Sequence, residues 1–203
     1  VSAAVLVIAH RGASFDFPEN TLPAFERAIE IGADYVEFDV HPDREGALVV
    51  THDPPHGAHP RLEEVLDLCH GRIGVMVELK RPGRHRGIVP GALALMHDDD
   101  VLVCFQRAAL EEARALRPAI RTVQHVGFGV SIRRAAGAWA AGFQNERVTP
   151  RGLEAARGLG LETTVYTVND EARIVELEQL GVSGIFTDCP DRALAALGRR
   201  PGG

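Results

Sequence analysis

The sequence predicts an α/β chain closed into a (β/α)8 (TIM) barrel, on two observations: eight short apolar runs, and helical patterns in the gaps between them. Continuous apolar runs of this kind are buried on both faces, as parallel strands under crossover helices are. In order, the runs end at His10 (VLVIAH), Val40 (YVEFDV), Lys80 (VMVELK), Phe105 (VLVCF), Val126 (RTVQHV), Glu146 (GFQNE), Val168 (TTVYTV) and Asp188 (GIFTD). An additional β-like piece, ALVVTHD from Ala47 to Asp53, follows the second run. Helix signals lie between them: Thr21 is placed to cap LPAFERAIE before Gly32, and Arg61 opens LEEVLDLC before Gly71. Thr149-Pro150 opens RGLEAARGLG, and Asn169 is placed to cap DEARIVELEQLG before Gly181. Roughly eight helices are expected. Alternation by itself also fits a doubly wound sheet, and 203 residues is the small end for a barrel.

With 45% hydrophobic and 25% charged residues, the chain has the proportions of one globular domain, placed at 1–198 with a flexible tail at 199–203. The formal charge of -6 and pI near 5.8 give no global attraction to nucleic acid or to an anionic membrane, so an anionic ligand must be held by local cations. Cys69, Cys104 and Cys189 are odd in number and far apart, which suggests neither a disulfide framework nor a CxxC zinc site and fits reduced thiols in the cytoplasm. The opening VSAAVLVIAH lacks a basic lead-in and is too short to span a bilayer, so a buried strand and no stable membrane insertion are expected.

The chemistry gathers at the strand ends. Side chains at i and i+2 of a strand share a face, so Glu37 and Asp39 point together while Val36, Phe38 and Val40 point away. Glu78 and Lys80 repeat the pattern in the third run. Any one of these acids alone is readily explained as half of a scaffold ion pair. Three converging in a partly dry place repel, and protonation or a bound cation must relieve them. A hard divalent cation with oxygen ligands fits best, and Mg, Ca and Mn all accept carboxylate oxygen. His10 closes the first strand in register with Leu6 and Ile8, and His52 closes ALVVTHD beside Asp53. Two imidazoles flanking such a cluster can act as general acid and general base near neutral pH. His41, His56, His59, His70, His85, His97 and His125 are read as solvated or structural, His41 being the least settled because it follows the acidic strand directly.

These residues sit in strings that resemble the glycerophosphodiester phosphodiesterase family: HRGAS at 10–14, PENT at 18–21 followed by AF, GADYVEFDV at 32–40, GALVVTHD at 46–53, VELK at 77–80, VYTVN at 165–169 and GVSGIFTDCPD at 181–191. The likeness runs from one end of the chain to the other. It implies a (β/α)8 barrel that uses a divalent metal to hydrolyse a glycerophosphodiester to glycerol 3-phosphate and an alcohol. Carried over, Glu37, Asp39 and Glu78 match the metal ligands, His10 and His52 the acid-base pair, and Arg11 and Lys80 the cations that bind the substrate phosphate. In the family mechanism the glycerol 2-hydroxyl attacks phosphorus, and water opens the resulting cyclic phosphate.

The chain also departs from the family. An inserted subdomain is common after the HD motif, whereas here only PPHGAHPR separates Asp53 from Leu62, a much-reduced insertion that leaves the site open. Tyr166 stands where Trp is frequent, and Gln106 follows Phe105 where a Ser-Phe pair is common. Two other readings keep the site and change its use: lysophospholipase D-type hydrolysis of lysophospholipids, and a non-catalytic phosphodiester-binding barrel. The presence of both His10 and His52 argues against the latter.

Overall fold

The computed structural model describes residues 4–127, 130–200 and 202. These form nine strands: β1 (Leu6–His10), β2 (Tyr35–Pro42), β3 (Leu48–Val50), β4 (Gly74–Leu79), β5 (Val101–Cys104), β6 (Arg121–Val126), β7 (Ala140–Gln144), β8 (Glu162–Tyr166) and β9 (Gly184–Thr187). Eight of them pair in parallel in the order β1-β2-β4-β5-β6-β7-β8-β9, and β9 pairs back onto β1. The sheet is therefore a closed barrel, and the doubly wound alternative falls. β3 is the additional piece, antiparallel to the end of β2 with Val40 opposite Val50 and Pro42 opposite Leu48.

Each stave sorts its side chains by alternation. Val7, Ala9, Val36, Phe38, Val77 and Leu102 face outward into one buried cluster shared with the helices, while Ile8, Met76, Val101, Val103, Val123, Ala140 and Phe186 fill the barrel interior. Apart from the buried Thr164 on β8, the interior is apolar until the strands approach their C-terminal ends, where the inward positions become Glu37, Asp39, Glu78 and His125, all buried.

Seven α-helices are present among the described residues: α1 (Leu22–Ile31), α2 (Leu62–Cys69), α3 (Ile88–Leu95), α4 (Arg107–Leu116), α5 (Pro150–Arg157), α6 (Glu171–Gln179) and α7 (Pro190–Ala196). The expected count of about eight is corrected at the β6–β7 connection, whose described residues hold one 3-10 turn at Ile132–Ala135 and no α-helix. Gly137, at a φ of 86°, turns the chain immediately after it, and one turn is too short to propagate as α-helix. β7 also starts earlier than expected, and Asn145 and Glu146 leave it for a 3-10 turn at Asn145–Arg147. Asp170, not Asn169, caps α6, accepting from Arg173 N at 2.8 Å. The Thr21 hydroxyl at the head of α1 donates to Pro18 O at 2.6 Å and makes no cap bond to the helix. No helix among the described residues is long and apolar enough to cross a membrane.

Of the tail expected at 199–203, positions 201 and 203 lie outside the described residues. Arg199 is tied to the domain: its NH1 and NH2 reach the two carboxylate oxygens of Asp34 at 2.7 and 2.8 Å. Asp34 Oδ2 also accepts from Val7 N at 2.7 Å, so one carboxylate joins the start of β1 to the end of the chain. Asp34→Ala removes the charge-assisted pair and leaves a backbone N–H without its acceptor, a cost of about 1–3 kcal/mol. Thermal melting should show the midpoint falling by several degrees, and an unchanged melt would show that this clasp is idle.

Candidate active site

The polar residues meet at the C-terminal mouth because strand register brings them there. His10 pairs with Glu37 across β1 and β2, and Asp39 pairs with Glu78 across β2 and β4. One carboxylate oxygen from each of Glu37, Asp39 and Glu78 lies within 4.8 Å of the other two. Lys80 lies over two of them, with Nζ 2.7 Å from Glu78 Oε1 and 3.1 Å from Asp39 Oδ1.

Arg11 comes from the other side, on a tight turn. It adopts a φ of 58°, which presents its backbone N–H to Glu37 Oε2 at 3.2 Å. Gly12 continues the turn at a φ of 85° against α1, where a Cβ would sit 2.7 Å from the Ala24 carbonyl carbon. Only glycine fits there. The Arg11 guanidinium bonds Glu19 at 2.8 Å through NH1, and its Nε stands 3.0 Å from Asp39 Oδ2 as a close charge contact without hydrogen-bond geometry. Asn20 clasps Asp39 twice, donating from Nδ2 to Oδ2 at 3.0 Å and accepting from its backbone N–H at 3.2 Å.

The three acids are unequal. Burial, followed by repulsion from Asp39 and Glu78, drives the Glu37 carboxyl well above the ordinary carboxylate range. Burial also raises Glu78, against the pull of Lys80. At Asp39 burial pushes upward too, but Lys80, Arg11 and the Asn20 amide outweigh it and the group lies below its usual value. Glu37 is thus the acid whose charge its neighbours compensate least. A buried, oxygen-only trio with one poorly compensated carboxylate has the chemistry of a hard-cation site, and the residues fit a divalent ion.

The two histidines predicted as a pair face one cavity of about 180 Å³, lined also by Arg11, Glu37, Glu78 and Lys80. Their supports differ. His10 Nδ1 is 2.8 Å from Asp188 Oδ1, and Asp188 accepts from Ser14 Oγ at 3.0 Å and Asn169 Nδ2 at 2.6 Å. Burial opposes the Asp188 charge, but the bonds from His10, Asn169 and Ser14 prevail and hold its pKa near about 2. His52 Nδ1 stands 3.3 Å from the exposed Asp53, and the His52 carbonyl meets His41 Nε2 at 3.1 Å. In both rings Nδ1 is the engaged nitrogen, which leaves Nε2 for the cavity.

The opposite wall is aromatic: Phe105, His125, Tyr166 and Phe186. Of the two readings offered for His125, solvated or structural, its burial in the mouth leaves the second, and burial followed by the charges of Lys80 and His10 lowers its pKa to about 3. Sequence reasoning also passed over Asp188 and Ser14. The missed signal for His125 and Asp188 was the alternation used for the acids, since Val123 and His125, and Phe186 and Asp188, share their strands' inward face.

A (β/α)8 barrel with buried carboxylates, two cations and two imidazoles at its C-terminal mouth is a hydrolase scaffold suited to an anionic phosphate ester. The profile of the Glycerophosphoryl diester phosphodiesterase family matches residues 10–80 and 101–192, and the chain belongs to that family of phosphoric diester hydrolases. It is 30% identical to a glycerophosphodiester phosphodiesterase of Bacillus altitudinis, over 93% of this chain and 96% of that protein. That alignment spans 246 positions against 203 residues here, so the relative contains segments that this chain lacks. The crystal structure of a glycerophosphodiester phosphodiesterase from Parabacteroides distasonis superposes with a TM-score of 0.86 at 25% identity, covering 98% of each chain. A phosphodiesterase from Oleispira antarctica, in complex with the product sn-glycerol-3-phosphate, superposes with a TM-score of 0.86 at 22% identity, covering 96% of this chain and 97% of that one.

Divalent cation should raise the melting temperature of the ion-free protein, by an amount equivalent to about 2.7 kcal/mol at a hundredfold excess over Kd. Glu37→Gln, which removes the least compensated charge, should melt at the same or a higher temperature than wild type without ions and should lose the ion-dependent gain. A full gain in this variant would remove Glu37 from the ion site.

Proposed function

We propose that the protein hydrolyses glycerophosphodiesters to glycerol 3-phosphate and an alcohol, in a divalent-cation-dependent reaction with His10 and His52 as the acid-base pair. The observation that supports this most is the single cavity in which both imidazoles face the buried carboxylates and the two cations. The Oleispira antarctica phosphodiesterase, of the same fold, holds sn-glycerol-3-phosphate as its product, which accords with this substrate class.

A cation of the Mg, Ca or Mn type held by Glu37, Asp39 and Glu78 would neutralise charge on the phosphate and polarise a phosphoryl oxygen. Arg11 and Lys80 flank the same acids and can share their positive charge with the phosphate oxygens. One of the two imidazoles takes the proton of the attacking hydroxyl, and the other delivers a proton to the leaving oxygen. Asp188 fixes the His10 ring through Nδ1, so Nε2 is the atom that exchanges a proton with the substrate. The burial of Glu37, Asp39 and Glu78 strengthens the charge interactions on their side of the cavity.

A second reading has one observation in its favour. Phe105 lines the cavity while 48% exposed, and Phe15 and Phe17 are exposed on the loop after β1, so apolar surface borders the mouth. An acyl chain would find a path there, as in a lysophospholipase D. Comparing turnover of glycerophosphocholine with lysophosphatidylcholine separates the two, and exclusive use of the lipid would overturn the proposed substrate.

Release of glycerol 3-phosphate from glycerophosphocholine should stop in excess chelator and return with added divalent ion. His10→Ala and His52→Ala should each lower kcat by about 10²–10⁴ with folding retained. Retention of wild-type turnover in either variant would remove that histidine from the mechanism.

A further inference from the structure

His125 has no part in the reaction as described, yet the barrel is shaped around it. It ends the inward face of β6 and is 3% exposed, with Nε2 3.8 Å from Glu78 Oε2. The other Glu78 oxygen is the one that Lys80 holds at 2.7 Å, so the two oxygens of this carboxylate face different partners. The ring is packed by Tyr166, Phe105 and Phe186, with centroids 4.2, 4.8 and 5.5 Å away, and cannot swing freely. Its register partner on β7 is Gly142, where a Cβ would stand 2.1 Å from His125 Nδ1. Glycine at this position is what gives the imidazole its seat.

The tautomer follows from the same packing. Nδ1 is buried and has no hydrogen-bond partner. An unpaired lone pair is tolerated in a protein interior more readily than an unpaired N–H, so the proton belongs on Nε2, the atom directed at Glu78. A separation of 3.8 Å is too long for a hydrogen bond, and contacts of this kind commonly tighten when a site fills.

We propose that His125 is a positioning residue: its Nε2–H steers Glu78 Oε2 and thereby sets the cation affinity of the carboxylate trio. The inference rests on the reading of Glu37, Asp39 and Glu78 as cation ligands. It adds a nitrogen donor behind the ligands, of the kind that elsewhere changes metal affinity by about 10–100-fold when lost.

Isothermal titration of the ion-free protein with MnCl2 tests it without any turnover. His125→Phe, which keeps the ring and removes the donor, should weaken binding by about 10–100-fold, while His125→Gln, whose amide can replace Nε2–H, should stay within about threefold of wild type. Gly142→Ala, which pushes the ring from its seat, should weaken binding as His125→Phe does, and circular dichroism would identify any variant that fails to fold. Wild-type affinity in folded His125→Phe, or equal weakness in His125→Gln and His125→Phe, would overturn the positioning role while leaving the cation site standing. Absence of binding by the wild-type protein would overturn the cation reading and this role with it.

Discussion

Three carboxylates held in a nearly dry barrel mouth set the constraint to which the rest of the site responds. Water cannot screen them, and in such surroundings like charges a few ångströms apart repel by far more than they do at a surface. The chain meets this with unequal measures. Lys80 bridges Asp39 and Glu78, Arg11 and Asn20 hold Asp39 from the other side, and Glu37 receives a backbone N–H. Asp39 is thereby kept ionised while Glu37 is driven toward protonation. The cluster is consequently poised: two cations are present for three acids, and a divalent ion would reverse the deficit. Replacing the acids with apolar residues would remove the strain, so the trio adds nothing to stability that an apolar core would not.

The loop after β1 is shaped by the same demand. A positive φ at Arg11 directs one residue's N–H at Glu37 and its guanidinium at Asp39, and the following turn brings Asn20 onto Asp39. Gly12 makes the close approach to α1 possible. Ser14, on the same loop, donates both to the carbonyl of His10 and to Asp188, which joins the loop to the end of β9. HRGAS and PENT therefore act as a bracket between the first strand, the carboxylates and the last strand.

Much of this was legible in the sequence because a strand has a strict period of two. The inward placement of Glu37, Asp39, Glu78 and His10 follows from alternation alone, as does the apolar outer face beneath the helices. The two histidine companions of the cluster lie on segments nearly forty residues apart, yet both end β-like runs, which is where a barrel collects its chemistry. What escaped has physical causes. His125 and Asp188 obey the same alternation, but their neighbours around the ring come from β7, β8 and β1, so their meaning appears only when the barrel closes. Asn169 and Asp170 both suit a helix N-cap, and nothing local says that Asn169 is drawn away by Thr187 and Asp188. The helix expected between β6 and β7 failed because a glycine arrives one turn in, a local signal that the alternation of larger elements obscured.

The two imidazoles are supported to different degrees, and this difference bears on how the mouth works. His10 belongs to a four-member network with Asp188, Ser14 and Asn169, drawn from β1 and the loops that follow β1, β8 and β9. His52 lies beyond β3, outside the barrel ring, in the connection between β3 and α2; His41 grips its carbonyl, and its ring meets an exposed aspartate. The His52 side chain is 38% exposed and that of His10 20%, so the cavity is more accessible on the His52 side. Positional precision therefore resides with His10, Arg11 and the acids, which are held by several hydrogen bonds and charge contacts. In the proposed reaction the phosphate would be held at the firmly braced His10 flank, and the less braced His52 side is where alcohols of different size would be accommodated.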